Sequence, residues 1–235
     1  MARLNRLAAA GLAHHVLQRG HNRQAVAVDE ADHAQLLALV GEAARTALVQ
    51  IHGYAVVPGA VHWLLTPQDD AGVSQFVQAL GRRYGRYFNA RHARSGSLWD
   101  GRFRSAVFQA ERHMLDHLVW VDALPVRQGL AAHAQDFAWS SAAHHLGEKA
   151  EPWLVDPHAY WALGNTPFER ELRYRQRLEE GVSAALDARI TQAVNSGWAM
   201  GDEGFLAQLA QQTGRRVQPG RRGRPRRRDA GGEAS

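Results

Sequence analysis

The sequence predicts an α+β protein, an antiparallel sheet with packed helices, and three observations carry that expectation. Strand-like runs alternate with runs of helical apolar spacing in the order β-α-β-β-α-β-α. The connections between them are short. Pro58-Gly59, a tight-turn dipeptide, joins the two central runs of IHGYAVVPGAVHWLLTP into a hairpin.

The first run, HHVLQRG at 14–20, reads as a strand closed by the turn-like RGHNRQ. Residues 30–46 follow as a helix. Ala34, Leu36, Leu37, Leu39, Val40 and Ala43 lie on helical spacing there, after Asp29 and Asp32 as candidate caps. The hairpin strands come next. Residues 73–94 form a second helix whose apolar stripe is Val73, Phe76, Val77, Leu80, Tyr84, Tyr87 and Phe88. Ser95-Gly96 breaks it. LWDGRFRSAVFQ at 98–109 reads as a turn and a strand, and 111–124 as a third helix stopped by Pro125. This order suggests a sheet covered by helices on one face, a sandwich of ferredoxin-like type.

Beyond Gly129 the text changes to a helical annex, with a charged helix over 166–188 and two short helices between 188 and 214. The resulting division is 1–147 for the sheet domain, 148–214 for the annex and 215–235 for a tail. That tail is too rich in Arg, Pro and Gly to bury a core, so disorder is expected.

Composition narrows the function. The 235 residues contain no cysteine, which excludes disulfides, thiolate metal sites and cysteine nucleophiles. No apolar run approaches the roughly 20 residues that span a bilayer. The N-terminus has no signal-peptide core. A cytoplasmic, nucleoid-associated protein without a membrane partner is expected, as monomer or homodimer. The net charge is +5, and it is unevenly placed. Residues 215–235 hold eight arginines against Asp229 and Glu233, a net +6, which leaves the body at −1. A polyanion-seeking arm on a near-neutral body follows.

The blocks AHHVLQRGHNRQ, VVPGAVHWLLTP, GRRYGRYFNARH, SGSLWDGRFRS, LPVRQGL and AWSS stand in one order between residues 13 and 141. Together they resemble the REP-associated tyrosine transposases, of the insertion-sequence-two-hundred type within the single-tyrosine HUH superfamily. The resemblance implies DNA strand cleavage and transfer. It calls for a His-hydrophobe-His pair on a strand, whose period of two sets both imidazoles on one face. With a helix asparagine they hold magnesium or manganese, which polarises the scissile phosphate. A helix tyrosine then attacks it to give a phosphotyrosine.

Aligned on Pro58 and on Pro125-Val126-Arg127, this chain departs from that pattern. Ala60 occupies the first histidine position, and His62 keeps the second. Trp120 occupies the tyrosine position and Leu124 the asparagine position. Indole cannot attack phosphorus, and alanine and leucine cannot ligate a metal. No intact catalytic residue and no resident cofactor are therefore expected. His113 and His117, one turn apart and on the face of Trp120, are weighed as substitute ligands opposite His62. The plainer reading has His113 exposed and His117 part-buried.

DNA-binding features remain. Arg82, Arg83, Arg86, Arg91 and Arg94, then Arg102 and Arg104, form a basic band with Tyr84, Tyr87 and Trp99, suited to phosphates and stacked bases. Gly223-Arg224-Pro225, flanked by Arg222 and Arg226, is AT-hook-like. Trp139 is expected to pack the annex onto the sheet, and Trp153, Trp161 and Trp198 to pack as well. The leading reading is a catalytically impaired, transposase-derived protein that binds single-stranded or hairpin repeat DNA. An active transposase or nickase with altered site residues is the first alternative, and an RNA-binding module the second.

Overall fold

The computed structural model describes residues 6–219, so the tail arginines Arg222, Arg224 and Arg226 lie outside the described residues. Four strands form one antiparallel sheet in the order β2-β3-β1-β4: β1 (Ala13–Arg19), β2 (Val49–Val57), β3 (Ala60–Pro67) and β4 (Arg104–Phe108). With α1 (Glu30–Thr46) after β1 and α2 (Gly72–Arg91) after β3, this is the expected α+β fold of ferredoxin-like order. The Pro58-Gly59 turn pairs Val57 with Ala60 and sets His62 opposite Ala55 and Leu17.

The helices do not share one face, which corrects the one-sided sandwich. Val16, Tyr54, Val56, Val61, Trp63 and Leu65 pack under α1 and α2. Ala13, Leu17, Ala55, Leu64, Ala106 and Phe108 pack under α3 (Ala110–Asp122), α7 (Pro167–Glu180) and α8 (Ala184–Ser196). The reason is visible in β3, where Val61 to Leu65 are all buried. A strand apolar on both sides needs cover on both sides.

Some boundaries also move. α2 stops at Arg91 rather than at residue 94, because Ala93 takes a left-handed conformation (φ 49°) and the Arg94 amide turns back to Asn89 O at 2.9 Å. α3 stops at Asp122, and Pro125 lies inside a further turn, α4 (Leu124–Arg127), where a missing N–H costs nothing. α5 (Ala142–His145) and α6 (His158–Trp161) are single turns. The expected helix over 166–188 is two helices. Gly181, at φ 67°, ends α7, and Ser183 caps α8 by accepting from the Leu186 amide at 3.3 Å. Thr166 and Glu169 form a reciprocal capping box at the start of α7. α9 (Glu203–Thr213) closes the described chain.

Both sheet edges meet later parts of the chain. On β2, the Val56 amide donates to Trp139 O and the Val155 amide to Ile51 O, each at 2.8 Å. On β4, the Met200 amide donates to Val107 O at 2.9 Å. Trp139 meets the β2 edge through its main-chain oxygen. It packs on the α1–α2 side and stacks on His33, with ring centroids 4.6 Å apart. Trp161 is 51% exposed, with the Arg170 guanidinium over its ring, rather than packed.

A buried ionic knot joins α3 to the annex. Asp122, fully buried, accepts from Ser141 Oγ at 2.5 Å, His145 Nδ1 at 2.7 Å and Tyr174 Oη at 2.7 Å. His145 also donates from Nε2 to His52 O at 3.1 Å, so both ring nitrogens donate and the ring is an imidazolium. Burial opposes that charge, but Asp122 outweighs it and raises the His145 pKa. Tyr174 therefore has a carboxylate partner, which the sequence did not suggest.

Candidate functional site

The positions singled out in the sequence do meet. Ala60, Trp120 and Leu124 join the same apolar cluster on the α3 side of the sheet, and the His62 ring lies 5.3 Å from Trp120. Strand periodicity places His62 there, and α3 lays Trp120 across it. Trp120 is only 5% exposed and is held from three directions. Its indole N–H donates to Asp187 Oδ1 of α8 at 2.6 Å. The Arg127 guanidinium lies 4.5 Å over its ring, and Arg127 Nε is 3.7 Å from the same Asp187 oxygen.

The site contains one residue the sequence reading passed over. His15 lies beside His62, with Nε2 and Nδ1 hydrogen-bonded at 2.9 Å, and its ring centroid is 5.2 Å from Trp120 and 5.6 Å from His117. Its parity on β1, two residues from Leu17, was the available signal. Among the described residues, His15 Nδ1 is buried without a hydrogen-bond partner. His117 is fully buried, not part-buried. It stacks on Phe108 at 3.8 Å and donates from Nδ1 to His113 O at 2.9 Å. His113 is half-buried beside Asp116 rather than exposed.

Burial keeps these imidazoles neutral. His62 is pushed down to about 3 by burial and then by Arg19 and Arg127, and His117 to about 4 by burial. His15 falls well below its ordinary value through burial and the neighbouring His62.

Neutral imidazoles can ligate, yet the donors present do not fit a hard divalent cation. The His15–His62 hydrogen bond leaves the pair a single free lone pair, Trp120 and Leu124 offer no donor atom, and Asp187 faces the indole. Magnesium and manganese prefer roughly six mostly oxygen donors. Among the described residues no group of three or more His, Asp or Glu side chains is placed to hold a metal.

The expected basic band divides. Arg91 pairs with Asp29 and Asp32, and Arg83 with Glu42, each at 2.7 Å. Arg94 donates to Gln24 Oε1 at 2.8 Å. Trp99 is half-buried against α2, its indole N–H donating to Gly81 O at 3.3 Å. Tyr84 is buried and donates to Val26 O at 2.7 Å. Arg82 and Arg86 stay exposed on the outer face of α2. Arg102 and Arg104 are exposed elsewhere, at the start of β4.

Residues 8–119 match the family model described as "Transposase IS200 like", a stretch that ends one residue before Trp120. No match is found among curated proteins. Among solved structures, a REP-associated tyrosine transposase bound to a REP hairpin is similar in fold. The TM-score is 0.54 at 16% identity, over 67% of this chain and 92% of that one. A transposase from Deinococcus radiodurans R1 matches at a TM-score of 0.37 and 21% identity, over 55% of this chain and 97% of that one. In the described part no helix is long and apolar enough to cross a membrane. The match identifies residues 8–119, just under half of the chain, as an IS200-like transposase domain.

Proposed function

We propose that this protein binds single-stranded or hairpin repeat DNA and does not cut it. The observation that carries the reading is Trp120. An indole fills the position where the family places its nucleophile, and its N–H is tied to Asp187. The solved relative of similar fold is described as holding a REP hairpin, which supports a DNA partner. The arginines of α2 and β4 supply the cationic surface such a partner needs. Loss of the cation-binding positions at Ala60 and Leu124 is consistent with loss of the nucleophile, because these groups act as a unit.

The test is to incubate the protein with end-labelled hairpin DNA and magnesium or manganese, then look for a denaturation-resistant protein–DNA band. Wild type should shift the hairpin in a native gel and form no covalent band. Trp120→Tyr alone should form none either. The triple variant Ala60→His, Trp120→Tyr, Leu124→Asn is the fair attempt at restoration. A metal-dependent covalent band from wild type would overturn the reading and favour an active nickase.

A further inference from the structure

A second cationic feature lies outside the α2 band. Between the β1–β4 end of the sheet and the link from α8 to α9 runs an open groove of about 750 Å³. Its sheet-side wall carries Arg19, Arg102 and Arg104, and its far wall carries Asn195 and Trp198. Among the described residues, five arginines line it against a single carboxylate, Asp100. Among the described residues neither Arg19, Arg102 nor Arg104 forms an ion pair. Arg19 and Arg104 lean instead on a neutral group. Arg19 donates to Asn195 Oδ1 at 2.6 Å, and Arg104 donates to the Asn195 main-chain oxygen.

Crowding like charges against neutral acceptors costs free energy, and burial together with Arg104 and Arg23 lowers the Arg19 pKa. A polyanion would remove that cost. The groove ends beside the His62 pocket, since Leu17, which lines it, pairs with His62 across the sheet. Trp198, half-buried, adds a ring surface to walls otherwise lined with guanidinium groups. Arginines with aromatic rings in an open channel suit a single strand, whose phosphates and bases are both reachable.

We propose that this groove, completed by Asn195 and Trp198 of the annex, seats the phosphodiester backbone of a single DNA strand on Arg19, Arg102 and Arg104. The proposal rests on the DNA-binding reading above and locates it. In the bound state phosphate oxygens displace Asn195 as acceptors for Arg19 and Arg104. The annex then contributes to binding, although it lies outside the family match at 8–119.

The experiment is fluorescence anisotropy on the full chain with a labelled oligothymidylate of about twelve nucleotides, across a salt series. Each phosphate contact on a single strand contributes about 0.7 to the log–log salt slope. The variant Arg19→Ala, Arg102→Ala, Arg104→Ala should therefore bind about tenfold or more weakly, with a slope shallower by about 2. Asn195→Asp places a carboxylate between Arg19 and Arg104. It should weaken binding without lowering the melting temperature, which separates a lost site from a damaged fold. Arg175→Ala, which removes a surface pair with Glu148, should behave as wild type.

Wild-type affinity and slope in the groove variants, with wild type still binding, would overturn the groove and leave the DNA-binding reading standing. If wild type binds neither oligothymidylate nor hairpin, both fall. Displacement by thymidine monophosphate at equal phosphate concentration would make this an isolated-anion site and overturn the strand. Tighter binding of a duplex or of oligouridylate would equally overturn it.

Discussion

Under α1 and α2 the sheet presents Val16, Tyr54, Val56, Val61, Trp63 and Leu65; under α3 and α8 it presents His15, Leu17, His62 and Leu64. The first face is a close-packed apolar core, with Trp63 edge-on to Phe76 at 5.5 Å. The second is equally dry but holds three uncharged imidazoles, an indole tied to a carboxylate and, at its margin, the Asp122–His145 knot. Burying so many polar groups stabilises less than the hydrocarbon they displace would. The first face thus carries most of the stability, and the second gathers its polar groups around Trp120 and His62.

The largest test of that contrast is Trp63→Ala. Truncating a fully buried indole in the apolar core should cost about 3–5 kcal/mol, read by urea unfolding. If it costs less than Trp120→Ala, the division of labour between the faces is wrong.

A smaller effect follows from pH. Unfolded histidines take up protons near 6.5, whereas folded His62 and His117 resist until about 3 and 4. The unfolded chain therefore binds more protons in this window, and stability falls as pH drops from about 6.5 towards 4. Each such group contributes about 1.4 kcal/mol per pH unit inside its window. His14, on the other face, shifts the same way, to about 4. The sharper measurement is therefore the difference between wild type and His62→Gln, which should lose stability less steeply on acidification. Identical pH profiles would place the acid sensitivity outside the pocket.

The smallest expected effect is Trp120→Phe, which keeps a ring but drops the donor to Asp187. Because Asp187 is 42% exposed, water replaces the indole, and the loss should be about 1 kcal/mol. Amides of α8 should exchange faster with deuterium while those of α1 do not change. Unchanged exchange in α8 would mean that the indole contact does not hold the helix.

The topology was legible because its signals are local. Pro58-Gly59 sets the hairpin register, and that register alone puts Ala60 and His62 on one face. Asp29 caps α1 as its position suggested, accepting from the Asp32 amide at 3.1 Å. The unread features are tertiary. His15 becomes a site residue only once β1 is known to lie beside β3. Arg83 and Arg91 look like exposed cations until Glu42, Asp29 and Asp32 of α1 are brought against α2. The break at Gly181 hides in a charged run that otherwise reads as one helix. Asn195 and Trp198 carry no motif, because the groove they complete exists only after the annex folds back onto β1 and β4.

The covered sheet edges have a consequence for assembly. An unpaired strand edge invites a second chain to extend the sheet, in orderly dimers or in aggregates. Here the β2 edge is engaged through Val56 and Ile51, and the β4 edge through Val107, each by a segment of the same chain beyond residue 135. Self-association by strand addition would first have to peel those segments away. Shortening the annex would then do more than remove helices: it would bare backbone donors and acceptors and make the fragment sticky.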